Sequence, residues 1–280
     1  VSHKENLLVS FSGGETSAYM AQRLWREWHD KYNMVIVFAN TGEEHEDTLE
    51  FVEKCSNHFD MPVTWVEAKV HHGERKGSTH SIVDFHSASR NGEPFEEVIK
   101  KYGVPNVAFP HCTRELKVNP INSFEKQIGF DGSLRAIGIR ADEIDRVTDN
   151  PKYIYPLVKM GVTKPQINGF WNSMPFRLNI ASYQGNCKVC FKKSLRKLMT
   201  IAKENPEWFD NMRRWEEYIE HDGQSIFRKE MKVDDILRLS ESEFEMAKDE
   251  KFVTWEYIQK DIFGNELDLS NGCVESCEIE

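Results

Sequence analysis

Residues 7–17, LLVSFSGGETS, constrain the fold more than any other stretch of this chain. Leu7, Leu8 and Val9 form a short apolar run of the kind buried in a sheet. Ser12-Gly13-Gly14-Glu15-Thr16-Ser17 follows, and then AYMAQRL carries apolar residues at helical spacing. A strand, a glycine-rich turn and a helix together present backbone N–H groups to an anion. The glycines let a ligand approach closely, and the helix N-terminus favours negative charge. Hydroxyls at Ser12, Thr16 and Ser17 add donors to the same cradle. No Lys-Ser/Thr pair follows at P-loop spacing and G-x-G-x-x-G is absent, so neither of the two commonest phosphate loops is present. The same residues also suit a structural strand-to-helix turn with a serine cap. Glu15 would repel an anion unless it points away or meets a metal ion.

The pattern continues. Met34 to Ala39 reads as a second buried strand ending in Asn40-Thr41-Gly42-Glu43-Glu44, with a helix from near Asp47. Pro62 to Val66 reads as a third strand, and Leu134 to Ile139 as a fourth that leads into Arg140-Ala141-Asp142-Glu143. Alternating strands and helices predict a parallel α/β sheet with right-handed crossovers, which binds ligands at the carboxyl ends of its strands. Residues 69–94 read as one long polar loop; the spacing of its histidines matches no compact metal-ligand set. A helix is expected over about 121–128, and TKPQINGFWNS predicts a helix capped by Thr163 with Pro165 in its first turn. From Lys192 onward the pattern is helical, and the tail from 264 is acidic.

At 280 residues the chain has ample length for a core. A net charge of −10 argues against broad electrostatic binding of nucleic acid but leaves room for a local basic patch. The run KKSLRK at 192–197 reads as a solvated helix face, or else as a phosphate contact. No run is long and apolar enough to span a bilayer, and the polar start VSHKEN is no signal peptide, which points to the cytoplasm.

Cys187 and Cys190 form a C-x-x-C, and Cys112 lies upstream beside His111. Three soft ligands from two loops suit an iron–sulfur cluster with one iron left open. They also suit, less well, tetrahedral zinc, with His111 or a C-terminal cysteine as fourth ligand, or a bare redox thiol pair. Cys55 reads as core, and Cys273 and Cys277 as tail thiols.

In order along the chain, SGGETS, NTGEEHEDTLEFV, CTRELKVNPI, AIGIRADE, YPL with TKPQINGFW, and CKVC resemble the phosphoadenosine phosphosulfate (PAPS) reductase family of the PP-loop ATP pyrophosphatase superfamily. The resemblance covers about 12–190. It implies a PP-loop α/β domain over 1–190, of the adenine nucleotide alpha hydrolase-like type, and leaves 191–280 as a helical extension. It implies ATP or PAPS as ligand. Ser12, Gly13, Gly14, Thr16 and Ser17 would take phosphates, Thr41 and Gly42 would lie by the ribose or adenine, and Asn40 and Gly138 would also bind the nucleotide. Arg140 would grip a phosphate or sulfate bidentately; its other reading is a salt bridge to Asp142 or Glu143. Cys112, Arg140 and Glu15 are the candidate catalytic residues. Mg²⁺ would neutralise the phosphates, with Glu15, Glu43 or Glu44 helping to hold it.

Cluster-bearing members of the family resemble CC-x-x-RKV-x-PL followed by C-x-x-C. Aligned on Lys117-Val118-Asn119-Pro120, the first cysteine falls on Cys112 and the second on Thr113. The resemblance thus implies a [4Fe–4S] cluster on three cysteines, Cys112, Cys187 and Cys190, as in related tRNA and DNA thiolation enzymes. Sulfonucleotide reductases resemble E-C-G-[IL]-H at the tail, whereas this chain reads Gly272-Cys273-Val274-Glu275-Ser276-Cys277. The expected activity is ATP-dependent, adenylating sulfur transfer to a nucleic-acid base or a small molecule. Expected partners are tRNA or DNA, or a thiol reductant protein, with a homodimer left open. One alternative is sulfonucleotide reduction with release of sulfite. The other is a non-catalytic nucleotide-binding protein with structural zinc, which Glu15 in the turn favours.

Overall fold

The computed structural model describes residues 4–73, 75–185, 187–219, 226–228, 231–249 and 251; Cys273 and Cys277 lie outside them. The side-chain alternation of β1 (Glu5–Ser10) sets the layers. Leu7 and Val9 enter one apolar cluster, with residues of α1 (Glu15–Trp28) and α2 (Glu46–His58). Leu8 enters another on the opposite face. A strand buried on both faces reads as a continuous apolar run, which is why 7–9 is legible as a central strand.

β2 (Tyr32–Asn40) and β3 (Val63–Lys69) extend the sheet on one side of β1, and β5 (Leu134–Ala136) and β6 (Tyr153–Ile154) on the other. The order is β4-β3-β2-β1-β5-β6, parallel except for β4 (Thr79–Val83), which runs antiparallel to β3. The stretch 69–94 is therefore not one loop. Its edge strand is polar and half exposed, so it carries no apolar alternation to find. The histidines there go to separate partners: His71 meets Thr79, His72 meets Glu97, and His80 meets Ser123. The sheet reverses its winding at β1, which places the loops after β1 and β5 side by side.

α3 (Glu93–Tyr102) begins after Gly92, which takes a left-handed φ of 80°. The next helix departs from expectation. It starts at His111, not near 121: α4 (His111–Thr113) passes through a π-helical turn (Arg114–Val118) into α5 (Asn119–Gln127). Pro120 has no N–H to donate, and its ring would crowd the carbonyl four residues back in a regular helix. The widened π-turn just before it relieves that conflict, and such turns recur at functional sites. α6 (Pro156–Lys159) and α7 (Lys164–Ser173) follow, the latter opened by the Thr163 cap with Gln166 reaching back to the Thr163 N–H at 2.7 Å.

α8 (Leu195–Glu204), α9 (Asp210–Ile219) and α10 (Val233–Ser240) form no separate unit. Leu198, Ile201, Phe209, Met212, Trp215 and Ile236 share one apolar cluster with Phe95, Val98, Ile99, Leu116, Cys187 and Cys190. A boundary at 190 therefore cuts through a core. Lys193 and Lys197 are buried as well, so 192–197 is no solvated face; Lys193 Nζ donates to the carbonyls of Tyr183 and Gly185. Among the described residues no helix is long and apolar enough to cross a membrane. Truncation after residue 190 strips the cover from Phe95, Val98 and Ile99. The truncated chain is expected to lose cooperative thermal unfolding and to bind hydrophobic dye, whereas a boundary between independent domains would leave a sharp transition.

Candidate functional site

The turn after β1 is held open by its own side chains and by its neighbours. Ser17 Oγ lies 3.1 Å from the Ser12 N–H, which donates to it, and itself donates to the Gly14 carbonyl at 3.0 Å. Gly13 sits at φ +85°, and a Cβ there would lie 2.7 Å from Thr48 Cγ2 and 3.1 Å from the Phe38 ring. Only glycine satisfies both the left-handed backbone and that close approach. Glu15 is fully buried, and Arg177 Nε and Nη2 each donate to its carboxylate at 2.9 Å. Trp171 Nε1 donates to the Glu15 carbonyl at 2.9 Å. The charge that opposed an anion is thus neutralised inside the protein.

Arg140, at the end of the loop after β5, is 4% exposed. Its Nη1 donates to Thr16 Oγ1 at 3.2 Å, its Nε to Asp142 at 3.1 Å, and its Nη1 lies 3.3 Å from Glu143. Both sequence readings of Arg140 therefore hold at once: it is ion-paired, and it is docked on the glycine turn. A cleft of about 310 Å³ adjoins that turn, with Ser12, Gly13, Gly14 and Thr48 on one side and Leu178, Ile180 and Ser182 on the other.

The turn after β2 carries a second cleft. Thr41 gives its N–H and its hydroxyl to Glu44, at 2.9 and 2.8 Å. Glu44 pairs with Cys187 in an antiparallel bridge, and the Lys188 N–H donates to the Glu43 carbonyl at 2.8 Å. This puts Thr41 Oγ1 3.6 Å from Cys187 Sγ. Cys112, Cys187 and Cys190 line one cleft of about 370 Å³, walled by Phe95, Leu116, Val189, Phe191 and Met212. Thr113 borders it, and its buried Oγ1 has no hydrogen-bond partner. Among the described residues no three His, Cys, Asp or Glu side chains close around a single metal ion. Burial pushes the Glu43 carboxyl up to about 7, against a hydrogen bond from Asn211 Nδ2 at 2.8 Å and the nearby charge of Lys188.

The model of the phosphoadenosine phosphosulfate reductase domain matches residues 6–245. The chain belongs to this family. It is 29% identical over 283 residues to an uncharacterized nin region protein of Escherichia phage lambda, covering 95% of this chain and 98% of the phage protein. It is also 26% identical over 140 residues to an uncharacterized protein of Methanocaldococcus jannaschii, a match over 50% of this chain and 24% of that protein. The PAPS reductase family is one of nucleotide-binding enzymes of sulfur chemistry, and the mostly parallel sheet with flanking helices is its fold.

In this PAPS reductase-family chain the structure brings Ser12, Gly13, Gly14, Thr16, Ser17 and Arg140 together, and it sets the three cysteines on the lining of one cleft. Three expectations change. Glu15 is spent on Arg177 rather than turned to a ligand or a metal ion. The Asn40 amide is spent as well: Nδ2 donates to Glu67 at 2.6 Å and to the Ser89 carbonyl at 2.8 Å, and Oδ1 accepts from the Gly42 N–H at 3.3 Å. Glu43 and Glu44 hold Asn211 and Thr41, so neither is poised for Mg²⁺. Gly42, at φ +82°, packs on Gly92, and Gly138 is buried beside the Arg140 loop. Sequence reasoning missed Arg177, Asn211 and Thr48, because only the fold carries them to the two turns.

Arg177→Met leaves the Glu15 carboxylate buried and unpaired, and should destabilise the chain by about 3 kcal/mol in urea unfolding. The double variant with Glu15→Gln should recover most of that loss. Glu43 binds a proton more tightly folded than unfolded, so stability should fall as pH rises from the ordinary carboxyl value of 4.5 to about 7. Glu43→Gln should flatten that slope in thermal unfolding across the same window.

Proposed function

We propose that this chain is an adenine-nucleotide-dependent enzyme that holds a [4Fe–4S] cluster on Cys112, Cys187 and Cys190 and uses ATP to activate an acceptor for sulfur transfer. The observation that carries this reading is the convergence of three thiols on one cleft, joined to the turn after β2 by the contact of Thr41 with Cys187. The cleft fits such a group. Its donors are soft thiols, its other walls are largely apolar, and the unpartnered Thr113 hydroxyl offers a hydrogen bond at its edge.

Cys112, Cys187 and Cys190 would hold such a cluster, which would supply an open iron able to carry sulfide. The chain's own residues do the rest. The turn at 12–17 presents N–H groups and hydroxyls to the phosphates. Arg140, beside Thr16, offsets charge that builds on the α-phosphate during transfer. A carbonyl-like oxygen of the acceptor, on a nucleic-acid base or a small molecule, attacks the α-phosphorus, and pyrophosphate leaves with the bridging electron pair. Sulfide then adds at the activated carbon, and AMP departs with that oxygen. Glu15, Glu43 and Glu44 are engaged within the protein, so Mg²⁺ would be held by the phosphates.

The second reading, reduction of PAPS to sulfite, draws on the family match itself. Protein purified without oxygen should be brown and carry about four irons per chain. Cys112→Ser should lose most of that iron. With acceptor and sulfide, ATP should yield AMP and pyrophosphate. Sulfite release from PAPS, with no ATP cleavage, would move the assignment to the second reading, and zinc at one per chain without colour would overturn the cluster.

A further inference from the structure

Met212 and Glu216 lie one turn apart on α9, and both are buried. Met212 walls the thiol cleft. Glu216 clamps a short piece of chain: its Oε1 accepts from the Phe227 N–H at 2.7 Å and its Oε2 from the Val233 N–H at 2.9 Å. Between these two points Arg228 and Met231 exchange backbone hydrogen bonds, at 3.1 and 2.7 Å. Phe227 is fully buried in the apolar cluster that contains Cys187 and Cys190. The backbone of Arg228 is thereby fixed against the core.

Its side chain runs to the turn that follows the C-x-x-C. Arg228 Nη1 donates to the Phe191 carbonyl at 2.6 Å and to the Lys193 carbonyl. The Lys193 N–H donates in turn to the Cys190 carbonyl at 3.0 Å. Both acceptors of the guanidinium are neutral, and among the described residues no carboxylate pairs with it. Burial disfavours its charged form, and the acidic group that acts against this is the Cys190 thiol. Arginine keeps its proton regardless. A half-buried cation matched only by carbonyls is costly unless an anion meets it. Thiols become anions when they ligate a metal.

We propose that Arg228 is a counter-charge of the thiol cleft: a positioning residue that pins the C-x-x-C turn and offsets the negative charge of Cys112, Cys187 and Cys190 as thiolates. This role rests on the cluster reading above and deepens it. Lys117 lines the same cleft and is a second cation there. Arg228 differs in being tied to the backbone of the C-x-x-C turn itself, so it fixes the ligand loop and its electrostatics together.

The test uses the full chain, purified without oxygen, as wild type, Arg228→Gln and Arg228→Lys. Gln keeps an N–H donor for the carbonyls and removes the charge; Lys keeps both. The readouts are the rate at which a chelator strips the bound iron and the midpoint potential of that iron. Arg228→Gln should lose iron about tenfold faster, with a potential lower by about 59 mV, the one-electron equivalent of tenfold. Arg228→Lys should restore both. Equal unfolding midpoints of the iron-free chains show that the variants fold. If Arg228→Gln does not fold, Arg228→Lys decides: wild-type rate and potential support the charge, and a loss of either at an unchanged unfolding midpoint overturns it. Wild-type rate and potential in Arg228→Gln overturn the Arg228 role and leave the cluster standing; so does an equal change in the Lys and Gln variants. A wild-type chain that binds no iron overturns the cluster reading and the Arg228 role with it.

Discussion

The short antiparallel bridge between Glu44 and Cys187, with the Lys188 N–H on the Glu43 carbonyl, joins the two halves of the molecule. One strand of it is the turn after β2, set by the central sheet. The other is the C-x-x-C loop, which leads into the C-terminal helices. These backbone bonds set Cys187 against the turn after β2, on the cleft that Cys112 also lines. The Thr41–Glu44 hydrogen bonds stiffen the same turn from within. Short bonds between buried backbone groups suit this task because their partners cannot easily exchange them for water.

The loop over residues 178–190 serves both clefts. Its first half, with Leu178, Ile180 and Ser182, faces the glycine turn; its second half, with Cys187, Val189 and Cys190, faces Cys112. Lys193 holds the middle of the loop by the carbonyls of Tyr183 and Gly185. A molecule or group in either cleft therefore touches one continuous piece of chain. Lys193 is buried where the amino-acid pattern reads as a wet helix face, because its tip reaches carbonyls and its stem is covered.

The π-turn over Arg114–Val118 has a comparable role for Cys112 and Thr113. It lets one helix contain both the cysteine at its start and Pro120 within it, and the apolar face beyond packs Ile121 and Phe124 under the sheet. The cysteine is thereby mounted on a helix anchored in the core rather than on a free loop.

The order of elements, the central parallel strands, the phosphate-type turn and the cysteine spacing are legible from the residues alone, because each rests on local patterning or backbone chemistry. Gly13 announces a close approach, and LLV a strand buried on both faces. The fate of charges and the limits of the core are not legible, because they depend on partners distant in the chain. Glu15 reads as a problem for an anion until Arg177, 162 positions away, is seen to pair with it. Asn40 at the end of β2 and Thr48 in the first turn of α2 look alike as short polar residues, yet the fold spends the first on Glu67 and leaves the second unpaired. The apparent boundary at 190 vanishes because the helices beyond it cover apolar residues that no local pattern assigns to them. Periodicity reports which face of an element is apolar; only the folded chain decides what that face meets.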